Sequence, residues 1–167
     1  MNKKVQRNYL EINFLKDLKE NSDFFENYSI NLLDPVDFQL NKFFYKNIGK
    51  KHNWVDRLVW TEKQWIEYVS NKNVKTYVLK NVDEFAGYFE LNLHPEKDEV
   101  EIAYLGLLEE YHNKKLGSYL LSKAIKNSFI DKPKRVWVHT CSLDHKNALN
   151  NYIARGMKIF KTETVFL

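Results

Sequence analysis

A chain of 167 residues, 44% hydrophobic and 15% aromatic, is long enough to bury a core and too apolar to be disordered. It has no run near the roughly 18 apolar residues of a membrane span, and its opening, MNKKVQRNYLEINFLKDLKE, is too regularly charged for a signal-peptide apolar region. Net charge is a modest +4, and the 26 basic residues are spread along the chain, which favours local anion sites over a nucleic-acid footprint.

With five glycines, three prolines and no internal repeat or linker, a single domain over residues 1–167 is expected. Arg7 to Ile12 and Tyr28 to Leu33 alternate as strands. Pro35 stands where a helix can begin, and Val36, Phe38, Leu40, Phe43, Phe44 and Ile48 follow at helical spacing up to a stop at Gly49. Thr61 and Gln64 form a capping-box pair, which predicts a helix over 61–70. From Val74 the period becomes two: VKTYVLK, EFAGYFELNL and EVEIAYLGLL read as successive strands, with turns at Asn81–Asp83 and Pro95–Asp98.

Next, Leu116, Leu120, Leu121, Ala124, Ile125 and Phe129 share one helical face. Lys134 to Cys141 is another strand. Ala148, Leu149, Tyr152 and Ile153 make a second amphipathic helix that Gly156 can end, and MKIFKTETVFL closes the chain as a strand. This order describes a mixed α/β domain: an antiparallel meander, then a strand–helix–strand crossover over 99–141 with parallel strands. The helix of that crossover begins at the carboxyl end of a central strand, where α/β sheets place ligands.

The stretch YHNKKLGSYLL, residues 111–121, feeds that helix. Unpaired N–H groups near 114–118 and the helix dipole can hold an anion, with Lys114 and Lys115 adding charge and Gly117 allowing close approach. The competing reading is a solvated basic loop. Two segments decide between them. VEIAYLGLLEEYHNKKLGSYLL, residues 100–121, resembles the acetyl-CoA signature of the GNAT superfamily of N-acetyltransferases: an apolar strand, a short acidic turn, Q/R-x-x-G-x-G/A, then a helix. Gly117 matches the last glycine, whereas His112 stands for Gln/Arg and Lys115 for the first glycine. HTCSLDHKNALNNYIARGM, residues 139–157, resembles the N-x-x-A-x-x-x-Y-x-x-x-G-[FM] of the same superfamily at Ala148, Tyr152, Gly156 and Met157, with His145 at the Asn position. Trp54-Val55-Asp56-Arg57-Leu58 and His139-Thr140-Cys141-Ser142-Leu143-Asp144-His145 are similar to segments of one bacterial group within it.

The resemblance implies the GNAT acyl-CoA N-acyltransferase fold and acetyl-CoA-dependent transfer to a primary amine. It implies that a backbone N–H near Leu105 holds the thioester oxygen, that Leu107 pairs with the pantetheine arm, and that Gly106, His112, Asn113, Lys114, Lys115, Leu116, Gly117, Ser118 and His145 belong with them to the acetyl-CoA site. Donors fixed where charge develops are often a major catalytic contribution. Gly106 within a strand fits a bulge or a close backbone approach.

Tyr152 matches the superfamily's general acid, and Glu101 has the spacing of the general-base glutamate in the histone-acetyltransferase branch. Glu101 lies four residues from Leu105, roughly 13 Å along an extended strand, so the amine proton would travel through water. The bland readings are a core tyrosine and a strand carboxylate satisfied by a lysine or arginine. His139 is an alternative base or a structural histidine. Asp56 and Arg57, in the segment that covers the acceptor side in similar proteins, are candidate acceptor contacts, although they can instead pair with each other; Trp54, Trp60 and Trp65 are read as core.

His139, Cys141 and His145 are poorly spaced for zinc, and no metal is expected. Cys141 is the only cysteine, so a reducing cytoplasm is the expected compartment. No nucleic-acid or membrane partner is expected, and dimers are frequent among similar proteins. The departures at His112 and Lys115 keep a second reading open, a CoA-binding sensor or partner-binding module that has lost transfer.

Overall fold

Two polar caps fix where the first helices begin. In the computed structural model, which describes residues 3–23 and 25–167, the Asp37 carboxylate accepts from the N–H groups of Gln39 (3.0 Å) and Leu40 (3.2 Å). Helix α1 therefore runs Phe38–Gly49, starting after Pro35 because Asp37 supplies the acceptor that first-turn donors need. The expected capping box is present: Gln64 N–H donates to Thr61 Oγ1 at 3.2 Å and Thr61 N–H to Gln64 Oε1 at 2.8 Å. It opens α2, Glu62–Val69.

The strands are β1 (Lys4–Ile12), β2 (Tyr28–Leu32), β3 (Val74–Asn81), β4 (Glu84–His94), β5 (Glu99–Leu107), β6 (Arg135–Cys141) and β7 (Lys158–Phe166); α3 is Leu116–Ser128 and α4 is Ala148–Ala154. They form one seven-stranded sheet in the order β2-β3-β4-β5-β6-β1-β7. The meander β3–β4–β5 is antiparallel and the β5–β6 pair is parallel, as the pattern implies. The surprise is β1. It lies between β6 and β7, antiparallel to both, far from β2. Its inward residues Leu10 and Ile12 join the core under α3 with Leu120, Leu121, Val136 and Val138, and that burial outweighs proximity in sequence.

The sheet has a separate core on each face. One lies under α3 and α4; the other holds α1 through Phe44 and Ile48 against Val78 and Tyr88. At Gly106 α1 packs close against β5: a Cβ there would stand 2.5 Å from Ile48 Cγ2, so the glycine serves close approach. Helix α4 buries less than its spacing suggests. Only Tyr152 is buried, while Ile153 is 46% exposed. Gly156 follows α4 at φ +102° with the Asp17 carbonyl against its α-carbon, a position closed to other residues. Among the described residues no helix is long and apolar enough to cross a membrane.

Candidate active site

Parallel strands β5 and β6 stay paired for only three residues each, Glu99–Glu101 with Arg135–Trp137. Beyond them the strands part, and a cavity of about 1060 Å³ opens in the gap. Because β4 still pairs β5 as far as Leu107, the free edge of residues 102–107 faces the gap and leaves backbone donors and acceptors available there.

One wall comes from the segment that enters α3. Lys115, the N-cap, adopts φ 62°, ψ 13°, and no side chain caps the helix. The first-turn N–H groups thus keep their bonding capacity beside the cavity, which residues 115–118 line. Both lysine and the preceding Asn113 (φ 61°) sit in the left-handed region. This is the conformation a glycine adopts freely, and it explains why a glycine would suit position 115. A Cβ on Gly117 would meet only Asn151 Nδ2, at 3.8 Å, so open space lies in front of that backbone. Lys114 does not line the cavity, whereas Leu105, Gly106, Leu107, His112, Asn113 and His145 do.

His112 Nε2–H donates to the Leu107 carbonyl at 3.1 Å, which fixes its tautomer and occupies one of that carbonyl's two lone pairs. The His145 ring stands edge-on to His112 at 5.5 Å, and its Nδ1 accepts from the Asn147 N–H at 3.2 Å. Desolvation, then the nearby His112, His52 and Lys146, hold the His145 imidazole below the usual histidine range. Tyr152 is at once a core residue and part of the cavity wall. Burial, helped by the Asp144 carboxylate, raises its phenol well above the ordinary value, so it keeps its proton at neutral pH.

The opposite wall gathers side chains from distant segments. Glu101 faces the cavity with His94 Nε2 at 3.2 Å, so its partner is a histidine rather than the lysine or arginine anticipated. His139 opens onto the cavity beside the Tyr9 ring, 5.6 Å away. Desolvation by the surrounding walls, then the charge of Arg7, lowers its imidazole from the ordinary value, leaving it neutral at pH 7.

Asp56 is exposed, but Arg57 is buried and does not pair with it. Arg57 Nη1 donates to both oxygens of Glu90, at 3.0 and 2.9 Å. Glu90 is fully buried and also accepts from Asn41 Nδ2 at 2.9 Å. The Arg57 guanidinium lies 4.1 Å from the Tyr68 ring, 4.4 Å from Tyr104 and 4.8 Å from Trp60. Trp65 is core, as read, whereas Trp54 and Trp60 are only partly buried and line the cavity. Sequence reasoning missed Arg7, Asn92, His94 and Tyr104. Each is an ordinary strand residue, and only the assembled sheet brings them to the cavity or its edge. Among the described residues no group of three or more His, Cys, Asp or Glu side chains is arranged to hold a metal ion.

Parted parallel strands, an uncapped helix N-terminus at the gap and a proton-bearing tyrosine on the next helix together frame one cleft in an α/β fold. The model of the acetyltransferase (GNAT) family matches residues 38–157, and the chain belongs to that family. No curated protein matches the sequence. Among solved structures, a GCN5-related N-acetyltransferase from Sphaerobacter thermophilus is similar at TM-score 0.75 and 11% identity over 99% of this chain and 52% of its own. A functionally unknown conserved protein from Staphylococcus epidermidis gives TM-score 0.65 and 15% identity over 98% of this chain and 61% of its own. An aminoglycoside acetyltransferase from an uncultured soil metagenomic sample gives 0.65 and 13%, over 80% and 90%. At these identities the likeness is one of fold, and the chain spans little more than half the length of the first two.

Proposed function

We propose that this protein transfers the acetyl group of acetyl-CoA directly to a primary amine. The observation that carries the reading is the gap between β5 and β6, with the uncapped start of α3 on one side and Tyr152 on its wall. The left-handed Lys115, the open space before Gly117 and the free edge of residues 102–107 fit a pyrophosphate and a pantetheine arm.

In this reading, residues 112–118 hold the diphosphate and the β5 edge near Leu105 and Gly106 orients the thioester. His139 or Glu101 accepts the proton that the ammonium must lose, Glu101 through water. The amine nitrogen then bonds to the carbonyl carbon as the carbon–sulfur bond breaks, and the Tyr152 hydroxyl gives its proton to the departing sulfur. Reference values near 10 for a phenol and 8.5 for a thiol make that last step uphill by roughly 2 kcal/mol before Tyr152's own shift is counted.

The test has two parts. Acetyl-CoA should raise the melting temperature and adenosine alone should not; no shift at millimolar acetyl-CoA would defeat the reading. Thiol release across an amine panel then separates a transferase from a CoA-binding sensor, which would bind acetyl-CoA and release no thiol.

A further inference from the structure

The cavity contains a cation that forms no salt bridge with any described residue. Arg7 lies on β1, opposite Cys141 of β6 and Glu163 of β7, and its side chain lines the cavity next to His139. Its Nε is buried and has no hydrogen-bond partner. Among the described residues no carboxylate lies within salt-bridge distance of its guanidinium, although Glu163 stands opposite it on β7.

The neighbouring carboxylates are already committed. Glu163 accepts from the Tyr9 hydroxyl at 2.6 Å and from Lys161 Nζ at 3.0 Å. Asp144 accepts from Thr140 Oγ1 at 2.5 Å and the Cys141 N–H at 3.0 Å. Glu90 is closed around Arg57, and Glu101 faces His94. A buried guanidinium N–H without an acceptor is costly, and an incoming oxygen would relieve that cost. The planar fork that Nε shares with Nη matches a carboxylate in two-point geometry.

Among the acidic side chains that line the cavity, Asp56, exposed on the 52–60 segment, is the one without a hydrogen bond or salt bridge to another described residue. Arg7, Asp56 and His139, from three separate elements, all line this one cavity. A polyamine would bring its second cation towards Arg7. A ligand with one ammonium and one carboxylate would satisfy both ends.

We propose that the acceptor is a free amino acid, an amine that also carries a carboxylate, and that Arg7 binds the carboxylate while the amine is presented to the thioester between Asp56 and His139. This rests on the transferase reading, and it names the acceptor class that reading leaves open.

The test uses matched acceptors: L-tyrosine, its amide and tyramine; L-lysine, its amide and cadaverine. Two readouts are taken, binding to the CoA-loaded protein and thiol release from acetyl-CoA. The carboxylate member of at least one set should bind and react better than its partners by about 10-fold or more, the usual worth of a charge-assisted hydrogen-bonded pair. Arg7→Gln should bring that ratio to near one and Arg7→Lys should restore part of it, with retained stabilisation by acetyl-CoA as the check on folding. Equal or better use of the decarboxylated amines, or no binding of any amino acid at millimolar concentration, overturns the proposal. Arg7-dependent binding of an amino acid without thiol release would instead uphold the carboxylate site and remove the transferase reading. Should Arg7→Gln fail to fold, the wild-type ratios decide alone.

Discussion

The two walls of the cavity are built on different plans. The α3 wall comes mostly from one contiguous stretch, residues 112–118, and offers backbone N–H groups at an uncapped helix start. The facing wall draws Arg7 from β1, Asp56 and Arg57 from the segment between α1 and α2, Glu101 and Tyr104 from β5 and His139 from β6. A wall of backbone groups tolerates side-chain change, so in the proposed reading His112 and Lys115 can stand where the family signature has other residues. A wall of side chains has no such tolerance, and in the proposed reading it is where the acceptor would be selected.

Several changes would break or sharpen that contrast. The largest effect should come from Tyr152→Phe, which removes the proposed acid without changing the wall. Turnover should fall by about 10²–10⁴-fold while acetyl-CoA still raises the melting temperature, and full activity would remove Tyr152 from its role. Next, Glu90→Ala leaves the Arg57 charge buried and unpaired within the side-chain wall. A loss of about 3–5 kcal/mol is expected in urea melts, against no more than about 1 kcal/mol for breaking the exposed Lys63–Glu67 pair.

The pH profile distinguishes the two candidate bases. The base must be unprotonated, and the His139 imidazole lies below its ordinary value. If it is the base, kcat/KM holds steady through neutrality and falls only as pH drops below about 6.5. His139→Gln should then abolish that limb together with most of the activity, whereas full activity in the variant would remove His139 as the base. On the backbone wall, Gly117→Ala should leave the melting temperature of the free protein nearly unchanged, since a Cβ there meets open space. Its cost should appear as weaker acetyl-CoA binding by calorimetry. The smallest effect belongs to Lys115→Gly. Relieving a left-handed lysine should stabilise the protein by about 0.5–1 kcal/mol after the entropy of an added glycine is counted, with CoA affinity unchanged or improved.

The same contrast explains what could be read from the chain. The meander, the capping box at Thr61 and the α3 face are local patterns of period 2 or 3.6, and they stand as read. Family membership was legible for a related reason: the α3 wall is contiguous, so its residues keep fixed spacing. The position of β1 was not legible, because alternation marks a strand without naming its neighbours. Arg57 was read with its sequence neighbour Asp56, yet it pairs with Glu90, 33 residues away. Arg7 carried no signal at all; a charged residue in an alternating strand is ordinary until the sheet places it in a cavity.

The placement of β1 also bears on how the molecule reaches its native state. Tyr9 and Glu163, 154 positions apart, share a hydrogen bond, and β1 is flanked by two strands from the far end of the chain. Closing so long a loop before any contact rewards it places the β6–β1–β7 half among slow, high-contact-order assemblies. The meander β3–β4–β5, whose pairings are local, should gain hydrogen-exchange protection first. Arg7 and His139 would come together only at the final docking of β1, so competence for the acceptor would be the last property the folding chain acquires.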